Sequence, residues 1–150
     1  MPRNYQELEI FHLSYNFVVK LYPFLNQFPE SEHKNLVLQM KRSAISIPMN
    51  IAEGSSRRTN REFLTFLTYS LGSGKELEVS LRLSRDLSFL RSEEYITLNE
   101  DLAKVMAKLA SMIKYYETTI PPKKEVLIGK MERGELFTNS LKPSFNHPNH

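Results

Sequence analysis

The sequence contains no cysteine and no tryptophan, and it has no unbroken apolar run long enough to cross a membrane. Without cysteine the chain has no disulfides, no thiolate zinc site, no iron–sulfur cluster and no cysteine nucleophile. The first residues lead directly into charged positions without the apolar core of a secretory signal. These absences predict a cytoplasmic protein that is stabilised by packing and self-association.

The composition is that of an ordinary globular domain. Of 150 residues 41% are hydrophobic and 25% are charged, which suits a domain with one hydrophobic core. The chain is too short for two domains that each have a sizeable core. Lysine and arginine number 20 against 17 acidic residues, so the formal net charge is +3. That excess is too small to indicate nucleic-acid binding by itself, and its distribution matters more.

Apolar residues recur at alternating spacings of three and four in four segments, which predicts four packed helices. The first segment runs from Tyr5 to Leu25 and is capped by Asn4. Its predicted seam comprises Leu8, Phe11, Tyr15, Val18, Tyr22 and Leu25. The second begins at a cap at Ser31, bends without ending at Pro48 and stops at Gly54.

The third and fourth segments complete the pattern. A capping box at Thr59 and Glu62 opens the third helix, which we expect to be the longest and to reach about Leu90. Ser92 is the predicted cap of the fourth helix, which ends before Pro121. Short connections favour antiparallel neighbours, so residues 1–118 are predicted to form an all-α, up-down-up-down four-helix bundle.

The remaining residues, 119–150, contain prolines and carry no helical seam. We expect a tail that is mostly extended or disordered. Within it, the stretch from Val126 to Phe137 has the apolar residues for one short amphipathic turn that docks on a partner.

The first helix is apolar well beyond its predicted seam. The additional apolar residues are Ile10, Leu13, Phe17, Val19, Leu21 and Phe24. In an isolated bundle the outer face of a helix is largely polar, so this pattern favours a homo-oligomer. Two alternatives stay open, namely that the tail covers this face or that the first helix lies deeper than its neighbours.

Positive charge is concentrated between Gln39 and Arg61. The basic residues there are Lys41, Arg42, Arg57, Arg58 and Arg61, against Glu53 alone, a local charge of +4. The last three flank the start of the third helix, where free amides and the helix dipole favour anions. We therefore predict a nucleic-acid-binding cluster, with an ordinary solvated loop as the alternative. Whether the two residues on the second helix share this surface depends on the bend at Pro48.

No catalytic, metal-binding or cofactor-binding constellation is recognisable. The stretch from Gly72 to Lys75 departs from a phosphate-binding loop, since Tyr69 and Glu76 occupy the positions that need glycine and a hydroxyl residue. Its residues Gly72, Ser73 and Gly74 instead predict close helix packing. The chain's histidines lack the partners at helical spacing that a closed metal site needs. We expect neither an enzyme nor a bound cofactor.

One stretch is distinctive, the run Ser-Ile-Pro-Met-Asn-Ile-Ala-Glu-Gly over 46–54. It is followed by Arg57, Glu62-Phe63, Phe66-Leu67, Gly72-Ser73 and Glu76-Leu77-Glu78. These residues resemble the four-helix-bundle proteins encoded within 23S ribosomal RNA intervening sequences, over roughly residues 5–118. The same superfamily includes the accessory variability proteins of diversity-generating retroelements, which this chain resembles more distantly.

The resemblance implies a homopentameric ring without catalytic residues and with a role in binding structured nucleic acid. The retroelement relatives bind a reverse transcriptase and its RNA, so a protein-binding accessory scaffold is the alternative function. By position, Arg42 and Arg57 match basic residues of the motif. The resemblance also assigns structural roles at the motif: Gly54 would end the helix, and Asn50 and Glu53 would form hydrogen bonds around Pro48.

Overall fold

The computed structural model describes residues 3–121 and 131–134. Within them lie four α-helices, α1 (Glu9–Leu25), α2 (Leu36–Ser55), α3 (Asn60–Asp86) and α4 (Ser92–Thr118), and no strand. Short 3-10 helices, Tyr5–Glu7 and Glu30–Glu32, precede α1 and α2. The chain divides into two units, Met1–Thr119 with all four α-helices, and Ile120–His150.

Hydrogen bonds at the two ends of the bundle establish the helix directions. At one end, the Arg3 N–H donates to the Ser55 carbonyl and the Asn60 amide donates to the Thr119 hydroxyl, both at 2.9 Å. At the other end, the Gln27 amide donates to the Phe89 carbonyl at 3.1 Å. The helices pack in a closed cycle, each against the next and α4 against α1. The prediction of an all-α bundle of four antiparallel helices is confirmed.

The bundle core is mainly aliphatic and extends along all four helices. Its largest fully buried side chains are Phe63, Ile10, Leu21, Leu25, Met40, Ile47, Ile51, Leu67, Leu77, Leu81, Leu98 and Leu102. Burial of each such side chain contributes about 1.5–3 kcal/mol to folding. No helix in the described residues is long and apolar enough to cross a membrane.

The predicted seam of α1 is wrong. Ile10, Phe17 and Leu21, which lie outside that seam, are fully or almost fully buried, whereas Tyr15 at its centre is 52% exposed. Of the predicted seam only Leu25 is buried. Because α1 carries two apolar stripes, helical spacing alone cannot show which stripe contacts the bundle.

Both predicted starts of the first two helices are also wrong. Asn4 caps the first 3-10 helix, accepting the Gln6 N–H at 3.1 Å, and α1 begins at Glu9. Ser31 lies inside the second 3-10 helix, and α2 begins at Leu36. Short 3-10 turns commonly precede α-helices and use the same capping residues, so the sequence signals are shared.

The helix α2 continues through Pro48, as predicted, but Gly54 does not end it. Ser55 is the last residue of α2, and the Ser56 N–H caps it by donating to the Glu53 carbonyl at 3.2 Å. A Cβ at Gly54 would lie 2.5 Å from the Phe66 Cβ. Glycine is therefore required here for the close approach of α2 and α3, and not for a helix stop.

The ends of α3 and α4 differ partly from prediction. The Thr59 and Glu62 capping box is present, but α3 ends at Asp86 and has 27 residues, the same number as α4. The end is a Schellman motif in which the Phe89 N–H donates to the Ser84 carbonyl at 2.8 Å. Ser88 occupies the left-handed position with φ 62°, so no glycine signals this helix end.

The fourth helix begins at its predicted cap, one residue earlier than expected. Ser92 is the first helical residue and Arg91 is the cap, with the Arg91 N–H donating to the Glu94 carboxylate at 3.0 Å. Most of the predicted tail turn between Val126 and Phe137 lies outside the described residues. Within it the structure describes only a turn in which the Gly134 N–H donates to the Met131 carbonyl.

Candidate nucleic-acid interface

The predicted basic residues do not form one patch. Lys41 and Arg42 lie in the first half of α2, whereas Arg57 and Arg58 follow its end and Arg61 lies in the first turn of α3. Because α2 is continuous to Ser55, Arg42 lies about 20 Å along the helix axis from its end. The candidate interface is therefore the corner between α2 and α3, which we call the α2–α3 corner and define by residues 57–61.

Arg57 forms an ion pair and a ring contact within the protein. Its guanidinium pairs with the Glu53 carboxylate at 2.5 Å and stacks over the Phe66 ring, 4.8 Å from the centroid. Its Nε is buried without a hydrogen-bond partner. The ion pair compensates the Arg57 charge locally, so Arg57 is less available to an external anion than its position in the sequence predicts. Glu53 therefore bonds to Arg57, and its expected role around Pro48 is wrong.

Arg58 and Arg61 are exposed at the same corner. Neither makes an ion pair or a hydrogen bond through its guanidinium within residues 3–121 and 131–134. Their only close acidic neighbour in sequence is Glu62, so the uncompensated charge of the corner is small. These two side chains are the groups at the corner that are free to contact phosphate.

The amino-terminus of α3 is already occupied by a side-chain cap. The Thr59 hydroxyl accepts the Glu62 N–H at 3.1 Å, and the Glu62 carboxylate accepts the Thr59 N–H and hydroxyl at 3.2 and 2.8 Å. These hydrogen bonds, together with the nearby Arg57 and Arg58 charges, lower the pKa of Glu62. The charged carboxylate thus takes the position that an external anion would use, which leaves the arginine side chains as the groups at this corner that could contact one.

The two basic residues on α2 lie in different environments. Lys41 is half-buried, with its ammonium 5.1 Å from the centroid of the Tyr22 ring. Arg42 is exposed. Lys41 thus has an aromatic partner inside the protein, and neither residue is brought to the α2–α3 corner.

The distinctive motif links α2 to α3. Asn50 donates to the Ser46 carbonyl at 2.8 Å and to the Ser46 hydroxyl at 2.9 Å, and that hydroxyl lies 2.8 Å from the Ser73 hydroxyl. Pro48 is buried beside this network. Asn50 therefore bonds along α2 around Pro48, and Ser46 carries the connection across to α3.

Close helix packing at the small residues of α3 is confirmed at one glycine and wrong at another. A Cβ at Gly74 would overlap the Met106 sulfur, so α3 and α4 approach closely there. Gly72 is exposed, and a Cβ there would meet nothing within 4 Å. The two glycines lie on different sides of the helix, and spacing alone does not separate their roles.

An apolar groove lies between α1 and α2. Its volume is about 440 Å³, and it is lined by Tyr5, Phe11, Tyr15, Val18, Val19, Ile45, Pro48, Met49 and Ala52. Val19 is 59% exposed and Met49 is 64% exposed. The stripe of α1 that faces this groove is the stripe that helical spacing assigned to the core. This exposed apolar surface is typical of a contact between chains.

Sequence reasoning missed Arg3, which joins the chain start to the bundle. Its guanidinium lies 4.4 Å from the Phe63 ring centroid and 5.0 Å from that of Tyr116, and it also hydrogen-bonds to Asn60. The partners are far apart in the chain, so no local pattern indicates the contact. No group of acidic and histidine side chains in the described part of the chain could hold a metal ion.

The fold and the α2–α3 corner define an all-helical bundle protein that has a small basic corner and an apolar groove on its surface. The family model described as 23S rRNA-intervening sequence protein matches residues 6–111. The chain therefore belongs to the 23S rRNA-intervening sequence protein family.

A solved structure shows the same fold. It is the crystal structure of a protein of unknown function from the S23 ribosomal protein family of Bacteroides thetaiotaomicron, with 29% sequence identity and a TM-score of 0.63. The match covers 70% of this chain and 98% of that chain. No curated protein matches the sequence.

Proposed function

We propose that this protein is a non-enzymatic, homo-oligomeric scaffold that binds structured RNA in the cytoplasm. The observation that carries the proposal is the pair of exposed guanidinium groups of Arg58 and Arg61 at one end of the bundle, which have no ion-pair partner among the described residues. Guanidinium groups contact phosphate oxygens without reading the base sequence. The family description, which refers to 23S rRNA, supports RNA over other polyanions.

The corner of one chain is too weakly charged to bind RNA tightly alone. Arg58 and Arg61 act against the nearby Glu62, and Arg57 is paired with Glu53. Repetition of the corner around an oligomer adds the phosphate contacts of several copies on one RNA molecule. The proposed binding activity therefore depends on assembly.

The apolar groove between α1 and α2 is the surface on which we expect a second copy of the chain to bind. Side chains as exposed as Val19 and Met49 are unfavourable in water over so continuous a surface. Soluble homo-oligomers bury such surfaces in symmetric contacts. The resemblance to ring-forming relatives favours five copies, and we propose a homopentamer on that ground.

The α2–α3 corner is tested by charge reversal. The variant Arg58→Glu with Arg61→Glu is compared with Lys104→Glu plus Lys114→Glu, which makes the same change in net charge at exposed positions of α4. We expect the corner variant to lose binding to a structured RNA in fluorescence anisotropy, while the α4 variant keeps it. The slope of log affinity against log salt should fall by about 0.7–0.9 for each phosphate contact removed. Equal binding by both variants would remove the assignment of this corner.

Assembly is tested by native mass spectrometry of the wild-type protein purified from its own cells at low salt. A pentamer that carries RNA supports the proposal. A pentamer that carries only another protein favours the accessory-scaffold alternative, with a partner such as a reverse transcriptase. A bare monomer contradicts the oligomer on which the repeated corner depends.

A further inference from the structure

Tyr69 is a large aromatic side chain on the outer surface of α3, two turns beyond Arg61. It is 56% exposed, and its ring meets the Phe66 ring edge-on, with centroids 5.7 Å apart and planes at 81°. Its hydroxyl makes no hydrogen bond within the described residues. The ring is thus supported from one side and open to solvent elsewhere.

The support behind Tyr69 extends to α2. Phe66 packs at its Cβ against Gly54, and its ring is covered by the Arg57 guanidinium at 4.8 Å. Arg57 is held in turn by Glu53. Tyrosine has only two side-chain torsions, so a ring braced in this way loses little conformational entropy when a ligand stacks on it.

The α2–α3 corner is close to this ring. The distances from Arg57 to Phe66 and from Phe66 to Tyr69 limit the separation of the Arg57 guanidinium and the Tyr69 ring to about 11 Å. Three stacked nucleotides span a similar length, at about 3.4 Å each. Side chains on a helix lean toward its amino-terminus, so Tyr69 leans toward the end of α3 at which the α2–α3 corner lies.

Open space adjoins the ring on its other side. Gly72 lies one turn after Tyr69 and is exposed, and a Cβ there would meet nothing within 4 Å. A side chain at this position would stand beside the ring on the helix surface. Its absence leaves room for a flat group to approach.

We propose that Tyr69 is a stacking platform for an unpaired base, with Arg58 and Arg61 holding the flanking phosphates. The inference rests on the proposed function and specifies its ligand as single-stranded segments, including the loops and bulges of a structured RNA. Exposed aromatic rings beside positive charge bind single strands because every unpaired base offers a free face, whereas bases inside a continuous duplex do not. The arginines of the corner would bind the phosphates of a strand, and the ring would stack on a base of the same strand.

The test compares two RNA probes by fluorescence anisotropy at fixed salt, a single strand of about 12 nucleotides and a blunt duplex of equal length. Tyr69→Ala should weaken single-strand binding about five-fold or more and leave duplex binding unchanged. Tyr69→Phe, which keeps the ring, should bind as the wild type does. Tyr115→Ala is the matched control, because Tyr115 is 62% exposed but lines a groove with Glu7 and Glu9.

A spectroscopic readout separates stacking from a structural effect. The chain has no tryptophan, so Tyr69→Trp introduces a single reporter, whose emission should be quenched by the single strand and not by the duplex. The inference would be overturned if Tyr69→Ala lost binding to both probes equally, or lost binding to neither. If Arg58→Glu with Arg61→Glu still abolishes binding in that case, the proposed function stands without the stacking platform. A wild-type protein that binds neither probe overturns the stacking platform, and the structured-RNA assay of the α2–α3 corner then decides the proposed function.

Discussion

Alanine at Gly54 and at Gly72 should have opposite effects on stability, although both glycines lie inside helices. At Gly72 the new methyl group meets nothing within 4 Å, so the gain in helix propensity acts alone. That gain is about 0.5–1 kcal/mol. We expect Gly72→Ala to raise the free energy of unfolding by this amount.

At Gly54 the same gain is opposed by overlap with α3. The added Cβ would lie 2.5 Å from the Phe66 Cβ and 3.0 Å from a ring carbon of Phe63. Carbon atoms prefer about 3.5–4.0 Å, and the Phe66 Cβ is attached directly to the α3 backbone, so the two helices must separate. Overpacking of this kind costs about 1–3 kcal/mol.

Separation of α2 and α3 also strains the hydrogen bonds between them. The Ser70 hydroxyl donates to the Ile47 carbonyl at 3.0 Å, and the Ser46 and Ser73 hydroxyls lie 2.8 Å apart. We therefore expect Gly54→Ala to be destabilised by a net amount of about 1–2 kcal/mol, after allowance for helix propensity. This corresponds to a fall in Tm of several degrees.

The assay is thermal unfolding followed by circular dichroism. All samples are compared at one protein concentration, because assembly raises apparent stability with concentration. A Gly54→Ala variant as stable as Gly72→Ala would refute the assignment of Gly54 to close packing.

Glu94→Gln should destabilise the protein by about 1–2 kcal/mol at neutral pH, because the carboxylate accepts hydrogen bonds from Gln27 and from Arg91. Burial raises the pKa of Glu94, but these bonds outweigh burial and lower it overall, so the contribution is present above the ordinary glutamate pKa and is lost as pH falls through the lowered value. Urea titrations across acidic pH check this, and parallel curves for variant and wild type would contradict it. Val19→Glu with Met49→Glu should yield folded monomers in native mass spectrometry, and an unchanged assembly mass would exclude the groove as the contact between copies.

Local patterns in the sequence were sufficient for the secondary structure of the bundle. The helical spacing predicted four helices, and the Thr59 and Glu62 capping box lies where the sequence indicates. These features depend on residues within one turn of one another, so they are encoded locally. The end of α3 was missed because Ser88, and not a glycine, adopts the left-handed conformation there.

Signals shared by two structures could not be resolved from the sequence. Asn4 and Ser31 are suitable caps for either a 3-10 or an α-helix. Asn4 caps the first 3-10 helix, and Ser31 lies inside the second. The candidate site shows the same limit. Five basic residues were identified, but the pairing of Arg57 with Glu53 and the continuity of α2 leave Arg58 and Arg61 as the exposed pair at the corner.

The sequence by itself determined the helical class, the number of helices and the family to which the chain belongs. Tertiary structure decided which stripe of α1 is buried, why position 54 is a glycine and where Arg3 binds. Helical periodicity depends on neighbours a few residues apart and can be read along one segment. Burial and close approach depend on atoms of another helix, such as Phe66 against Gly54, and exist only once the helices have packed.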